Sequence, residues 1–208
     1  LVYISNATEN GTAYTKAELT ALSDFCRAND LLLFVDGARL AAALTSDAND
    51  LTLPEFARLV DAFYLGGTKN GTLFGEALVI TRPELTHDFF RMKKRMGAVM
   101  EKGWLQGVQF EAILKDNLYF DMARHANVLA GRLQEGVKAL GLPLMTESCT
   151  NQIFPIVKNE LRPRLEQVCA FEDWCPFDAE HTVIRFVTCF HTTQEDVDAL
   201  LSELKKLL

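Results

Sequence analysis

No stretch of this 208-residue chain approaches the roughly 18 consecutive apolar residues that a membrane span requires. Glycine-rich phosphate cradles of the G-x-G-x-x-G or P-loop kind are missing too. The five cysteines (Cys26, Cys149, Cys169, Cys175 and Cys189) include no C-x-x-C pair. An odd, scattered set of this kind argues against a disulfide framework or a zinc site and suits reduced thiols in the cytoplasm. Histidine is scarce: His87, His125, His181 and His191 never approach a metal-binding H-x3-H spacing. Positive charge is in deficit, with 21 Lys and Arg against 28 Asp and Glu and a formal net charge of -7. That balance disfavours nucleic acid and anionic membrane surfaces as partners. What remains is 49% hydrophobic and 24% charged, ordinary for a globular protein able to bury a core. The opening Leu1-Val2-Tyr3-Ile4 reads as mid-strand, with no secretory leader.

Two stretches organise the rest. The first, Leu31 to Val35, is a short apolar run ending in Asp36-Gly37-Ala38-Arg39. Such a run predicts a strand buried on both faces of a parallel sheet. Asp36 then stands at the strand's C-terminal end, where open α/β sheets place their ligands. The second, Ala62 to Leu65, is another short strand that delivers Gly66-Gly67-Thr68-Lys69-Asn70-Gly71. Small residues around one lysine let a ligand approach the backbone and leave the amine reachable. One reading of the pair is pyridoxal phosphate chemistry, with Lys69 forming a Schiff base and Asp36 holding the pyridine nitrogen protonated. The other is plainer: Asp36 caps a helix starting at Ala38, and Lys69 is a solvated turn residue. Spacing alone does not choose.

Further elements follow the α/β alternation of helix and strand. Thr15-x-x-Glu18 is a capping box opening a helix with Leu19, Leu22, Phe25 and Cys26 on one face. Thr52-x-x-Glu55 with Pro54 opens a short one. Ala77 to Ile80 reads as a buried strand and Pro83 to Lys94 as a helix leading to a basic run. Trp104 to Leu140 is helical in pattern, with a break near Asp116-Asn117 and a stop at Gly141. Beyond it come a strand over Ile153 to Val157, a helix over Leu161 to Phe171 and a strand over Thr182 to Phe190. Thr192-x-x-Glu195 is expected to cap a final amphipathic helix whose apolar side runs to Leu208. Arg185 stands out among residues that favour burial, where an unpaired charge is costly. It suits either a two-point carboxylate clamp or an internal ion pair.

Taken in order, several motifs resemble those of the threonine aldolase and β-eliminating lyase family. They are Ile4-Ser5-Asn6-Ala7-Thr8-Glu9 with Gly11-Thr12, Val35-Asp36-Gly37-Ala38-Arg39-Leu40, Gly66 to Gly71 with Gly75-Glu76, Asn151 to Pro155, and Ile184 to Thr188. The resemblance implies the aspartate-aminotransferase fold group: an α/β fold comprising the C-terminal part of a large domain, mainly parallel sheet with helices, plus a small α+β domain. The expected division is 1–103, connecting helices 104–140, and 141–208. It implies pyridoxal 5'-phosphate as cofactor, Lys69 as the catalytic lysine, and Asp36, Arg39 and Thr68 as cofactor contacts. Arg185 and Ser5 become substrate contacts, with Asn6, Thr8, Lys94 and Lys102 as further candidates. The implied reaction is retro-aldol cleavage of a β-hydroxy amino acid, threonine giving glycine and acetaldehyde. Alternatives on the same scaffold are β-elimination, transamination, or an incomplete piece serving only assembly. The resemblance also implies a homodimer or homotetramer, and a chain that begins inside the family's large domain and lacks full activity alone.

Overall fold

The computed structural model describes residues 1–208. Its first half is built on a four-stranded sheet of β1 (Val2–Ser5), β2 (Leu33–Asp36), β3 (Ala62–Leu65) and β4 (Ala77–Ile80), in that order. The first three strands are parallel and β4 runs antiparallel to β3. Between them lie α1 (Lys16–Ala28), α2 (Leu40–Leu44) and α3 (Leu53–Leu59). Both anticipated capping boxes are present, Thr15 with Glu18 and Thr52 with Glu55. The stripe of α1 differs from expectation by one residue: Ser23 is buried beside Leu19 and Cys26, whereas Phe25 is 56% exposed.

The period-2 geometry of β2 decides where the site can be. Leu33 and Val35 enter a core with Leu19, Phe56 and Phe63. Phe34 and Asp36 emerge on the other face, where Tyr3 stacks on Phe34 at 5.5 Å and Tyr64 meets Phe34 edge-on at 5.1 Å. The strand is therefore buried on one face only, which corrects the expectation of burial on both. β4 is likewise half-exposed along its length, as suits the antiparallel edge of a sheet.

The helix expected over Pro83 to Lys94 is two pieces, a 3₁₀ turn at Pro83–Thr86 and α4 at Phe89–Arg95. Asp88 between them has φ 54°, a left-handed conformation that helices do not carry. The break anticipated near Asp116-Asn117 has the same cause: these residues, at φ 51° and 64°, separate α5 (Trp104–Leu114) from α6 (Leu118–Ala139). The N-terminal turns of α6 pack Tyr119 and Ala123 into the first core. Its later turns carry Leu129, Leu133 and Val137 into a second core with Ile153, Ile184, Phe186, Val197 and Leu204.

That second core lies against β5 (Gln152–Ile153), β6 (Ile156–Lys158), β7 (Glu172–Pro176) and β8 (His181–Val187), each of the first three antiparallel to β8. The single strand expected over 153–157 is split at Phe154-Pro155, where proline has no N–H for the ladder. The helix expected over 161–171 is only α7 (Arg162–Leu165), and the strand expected to reach Phe190 ends at Val187. β7 was not anticipated. The last helix, α8 (Gln194–Leu207), is capped by Thr193 with Asp196, one residue later than the Thr192–Glu195 pattern suggested, and Leu208 is exposed.

Candidate active site

Three parallel strands bring their C-terminal ends together. Ser5 pairs in register with Asp36, and the turns after β2 and β3 touch backbone to backbone. The Gly66 N–H donates to the Gly37 carbonyl at 3.0 Å. A side chain at Gly37 would collide with the Tyr64 carbonyl, and one at Gly66 with the carbonyls of Gly37 and Ala38. Glycine is needed at both positions for the Asp36 and Lys69 turns to lie this close.

The lysine turn is pinned from two sides. Glu76 accepts from the Gly67 N–H and, at 2.6 Å, from the Thr68 hydroxyl. From α6, the buried Tyr119 hydroxyl donates to the Gly66 carbonyl at 2.9 Å, while the Tyr119 carbonyl accepts from the Asn70 amide at 2.7 Å. Lys69 itself is exposed over much of its length. The protein around its amine penalises the charged form, and the Arg39 guanidinium repels it, so its pKa lies below the ordinary lysine value despite attraction from Asp36 and Glu76. That coupling puts Lys69, Asp36, Arg39 and Arg185 in one electrostatic neighbourhood.

Asp36 accepts from the Ala38 N–H at 2.9 Å and from the Tyr3 hydroxyl at 2.6 Å. The first contact is an Asx turn rather than a helix cap, since α2 begins at Leu40 and not at Ala38. The second, with burial and the Asp36 charge behind it, raises the Tyr3 pKa to about 12. Arg39 is half-buried at the N-terminus of α2, and its Nε is buried with no partner. Burial, and then Arg185, hold its pKa below the usual arginine value.

Arg185 projects from β8. Its Nη1 donates to Gln152 Oε1 at 3.0 Å, its Nη2 pairs with Glu172, and its guanidinium lies 4.7 Å from the Trp174 ring centroid. Of the other residues singled out, Ser5, in register with Asp36, donates to Glu9 at 2.7 Å. Asn6 is buried and accepts from the Tyr14 N–H at 3.3 Å, and the Thr8 hydroxyl meets that of Thr12 at 2.7 Å. These two order their own loop. Lys94 and Lys102 are exposed on a different segment, with Lys102 paired to its neighbour Glu101. Sequence reasoning missed Tyr3, Gln152, Glu172 and Trp174. Gln152 lay in a quoted motif without a role; Glu172 and Trp174 lay on the unanticipated β7.

A model of the beta-eliminating lyase family matches residues 1–160. The chain belongs to that family. It is 33% identical over 155 residues to a low specificity L-threonine aldolase of Pseudomonas aeruginosa, covering 74% of this chain and 45% of that one. A solved threonine aldolase structure from Leishmania major superposes with a TM-score of 0.92 at 43% identity, over 99% of this chain and 60% of that chain. An aspartate aminotransferase from Thermus thermophilus shares the fold at a TM-score of 0.69 and 16% identity. The chain spans about half the length of the curated relatives it matches.

Members of the beta-eliminating lyase family are pyridoxal-phosphate-dependent. The residues present fit that group. An amine shifted toward its neutral form, a strand-end carboxylate free to accept from a protonated ring nitrogen, and the buried Arg39 Nε, a donor without an acceptor that a ring oxygen would supply, suit that group. The cavity lined by Arg39, Lys69, Asn70 and Asn151 holds only about 10 Å³, too little for a ring. Tyr3, Asp36 and Lys69 all reach solvent, so the room for one lies on their exposed side.

Proposed function

We propose that this chain carries the lysine-bearing part of a pyridoxal-5'-phosphate-dependent lyase of the low-specificity L-threonine aldolase type. Its reaction would be the cleavage of β-hydroxy amino acids, threonine giving glycine and acetaldehyde. The observation that supports the reading is the contact between the Asp36 and Lys69 turns, where the Gly66 N–H donates to the Gly37 carbonyl at 3.0 Å, with Arg39 and Arg185 close enough to repel the Lys69 amine.

When bound, pyridoxal phosphate supplies an aldehyde for covalent attachment and a ring that accepts the electron pair left at the substrate α-carbon. Lys69 would be the nucleophile for that attachment, its pKa lowered by the surrounding protein and by Arg39 in the direction that favours the reactive free amine. Asp36 would hold a proton at the ring nitrogen and Arg39 would supply a hydrogen-bond donor to the ring. Arg185 binds the substrate carboxylate, which orients the Cα–Cβ bond to be broken. The hydroxyl proton must leave as that bond breaks, and Cα must gain a proton to give glycine. None of the four histidines hydrogen-bonds Lys69, Arg39 or Arg185: His125 meets the Thr192 carbonyl and His181 meets Asp178.

The reading extends to self-association. Leu73, Met96 and Trp104 are 87, 79 and 62% exposed, and apolar surface of this kind along 73–118 supports a homodimer or homotetramer.

Incubation with pyridoxal phosphate should give a visible absorbance band. After borohydride reduction, peptide mass spectrometry should find the pyridoxyl group on Lys69, and Lys69→Ala should abolish it. Labelling spread over exposed lysines, with Lys69 unmarked, would end the reading.

A further inference from the structure

Arg185 and Glu172 stand directly opposite each other on β8 and β7, so their side chains share a face and their charges meet. The pairing is lopsided. Glu172 engages Nη2 and Gln152 engages Nη1, while Nε is buried without an acceptor. A guanidinium binds carboxylate best through two parallel donors, and the Nε–Nη2 edge is such a pair with one half unused. Exposure is lopsided as well: the Arg185 side chain is 15% exposed and that of Glu172 56%. Glu172 can swing into water at little cost, whereas the arginine is held in place.

What holds it is visible in the ladder. The register shifts between Asp173 and Cys175, making Trp174 the extra residue of a β-bulge. Bulges re-aim side chains, and this one lays the Trp174 ring against the guanidinium at 4.7 Å. Gln152, fully buried on β5, fixes the opposite corner.

The geometry points to a displaceable plug. Glu172 is an internal stand-in for a ligand carboxylate, and Trp174 and Gln152 are positioning residues that keep the Nε–Nη2 edge aimed at the site. An incoming α-carboxylate of an amino acid takes both donors and turns Glu172 out to solvent. The choice of amino acid as ligand rests on the lyase reading above; the contact geometry does not.

The test uses the whole chain without cofactor. There are two tryptophans, so Trp104→Phe leaves Trp174 as the sole indole reporter. Glycine should change its emission saturably, and methylammonium at equal ionic strength should not. Glu172→Gln removes the competing charge and should tighten glycine binding by about three- to tenfold. By calorimetry, Trp174→Leu should weaken it several-fold and Trp174→Phe should recover much of the loss. Unchanged or weaker glycine binding in Glu172→Gln would make Glu172 a structural partner and overturn the proposal, as would the lack of any saturable response. Capture of pyridoxal phosphate by Lys69 does not enter these readings. Normal titrations with Lys69 unlabelled would therefore sink the cofactor assignment and leave the plug intact.

Discussion

Replacing Gly37 with alanine tests whether the two site-bearing turns need to touch. A Cβ built at Gly37 would stand 1.9 Å from the Tyr64 carbonyl oxygen, where real contacts do not fall under 3.0 Å. Neither the Tyr64 backbone nor the Leu40 Cβ, the other near atom, is a flexible side-chain end, so the turns must part by about 1 Å, and the 3.0 Å Gly66–Gly37 hydrogen bond is lost. Overpacking of this kind costs about 1–3 kcal/mol, and the broken hydrogen bond adds about 1 kcal/mol. For a chain of this size each kcal/mol moves Tm by about 2–4 °C, which gives a fall of about 5–15 °C for Gly37→Ala in calorimetry. Because the same turns carry Asp36 and Lys69, the yield of pyridoxyl-Lys69 should fall with it. Gly131→Ala is the control. It lies within α6 with nothing within 4 Å of a Cβ, and alanine there should stabilise by about 1 kcal/mol. A Gly37→Ala protein melting within about 2 °C of the parent would refute the close-contact argument.

Arg39→Gln removes the larger of the two positive neighbours depressing Lys69, so the Lys69 pKa should rise toward its ordinary value. Its pH profile of reductive methylation then moves to higher pH, and a shift the other way would contradict the assignment. Tyr119→Phe leaves the Gly66 carbonyl without its 2.9 Å donor at a fully buried position. The expected loss is about 1–3 kcal/mol, seen as a lower urea midpoint at unchanged slope. Glu55 should dominate the acid limb of α3 stability. The Thr52 N–H, then the Thr52 hydroxyl and Lys16, pull its carboxyl down to about 2 from an ordinary 4.5. Its contribution is complete above pH 4.5 and drains as pH falls through about 2, so Glu55→Gln should flatten the urea midpoint against pH over that interval.

Local signals were legible where the chemistry is local. Thr15 and Thr52 cap their helices because each has an acid three residues on, and only backbone within four residues takes part. The 116–117 break and the Gly141 stop (φ +83°) were readable for the same reason: polar residues and glycine tolerate left-handed backbone. At the C-terminus a competing partner shifted the outcome. The Thr192 hydroxyl accepts from the Cys189 N–H, and Thr193 caps α8 instead. β7 stayed hidden because Glu-Asp-Trp-Cys-Pro has little intrinsic strand preference; it is extended because β8 offers it a ladder.

By itself the order of residues determined the α/β alternation, the turn that carries Lys69 and the strand end that carries Asp36. All of these follow from apolar runs and glycine placement within about ten residues. Only the tertiary structure decided that β2 buries a single face, that Gly37 and Gly66 press those turns together, and that Arg185 meets Glu172, Gln152 and Trp174. Those contacts join residues between 11 and 33 positions apart, and no local pattern encodes them. They exist because sheet register and a one-residue bulge bring distant side chains onto one face.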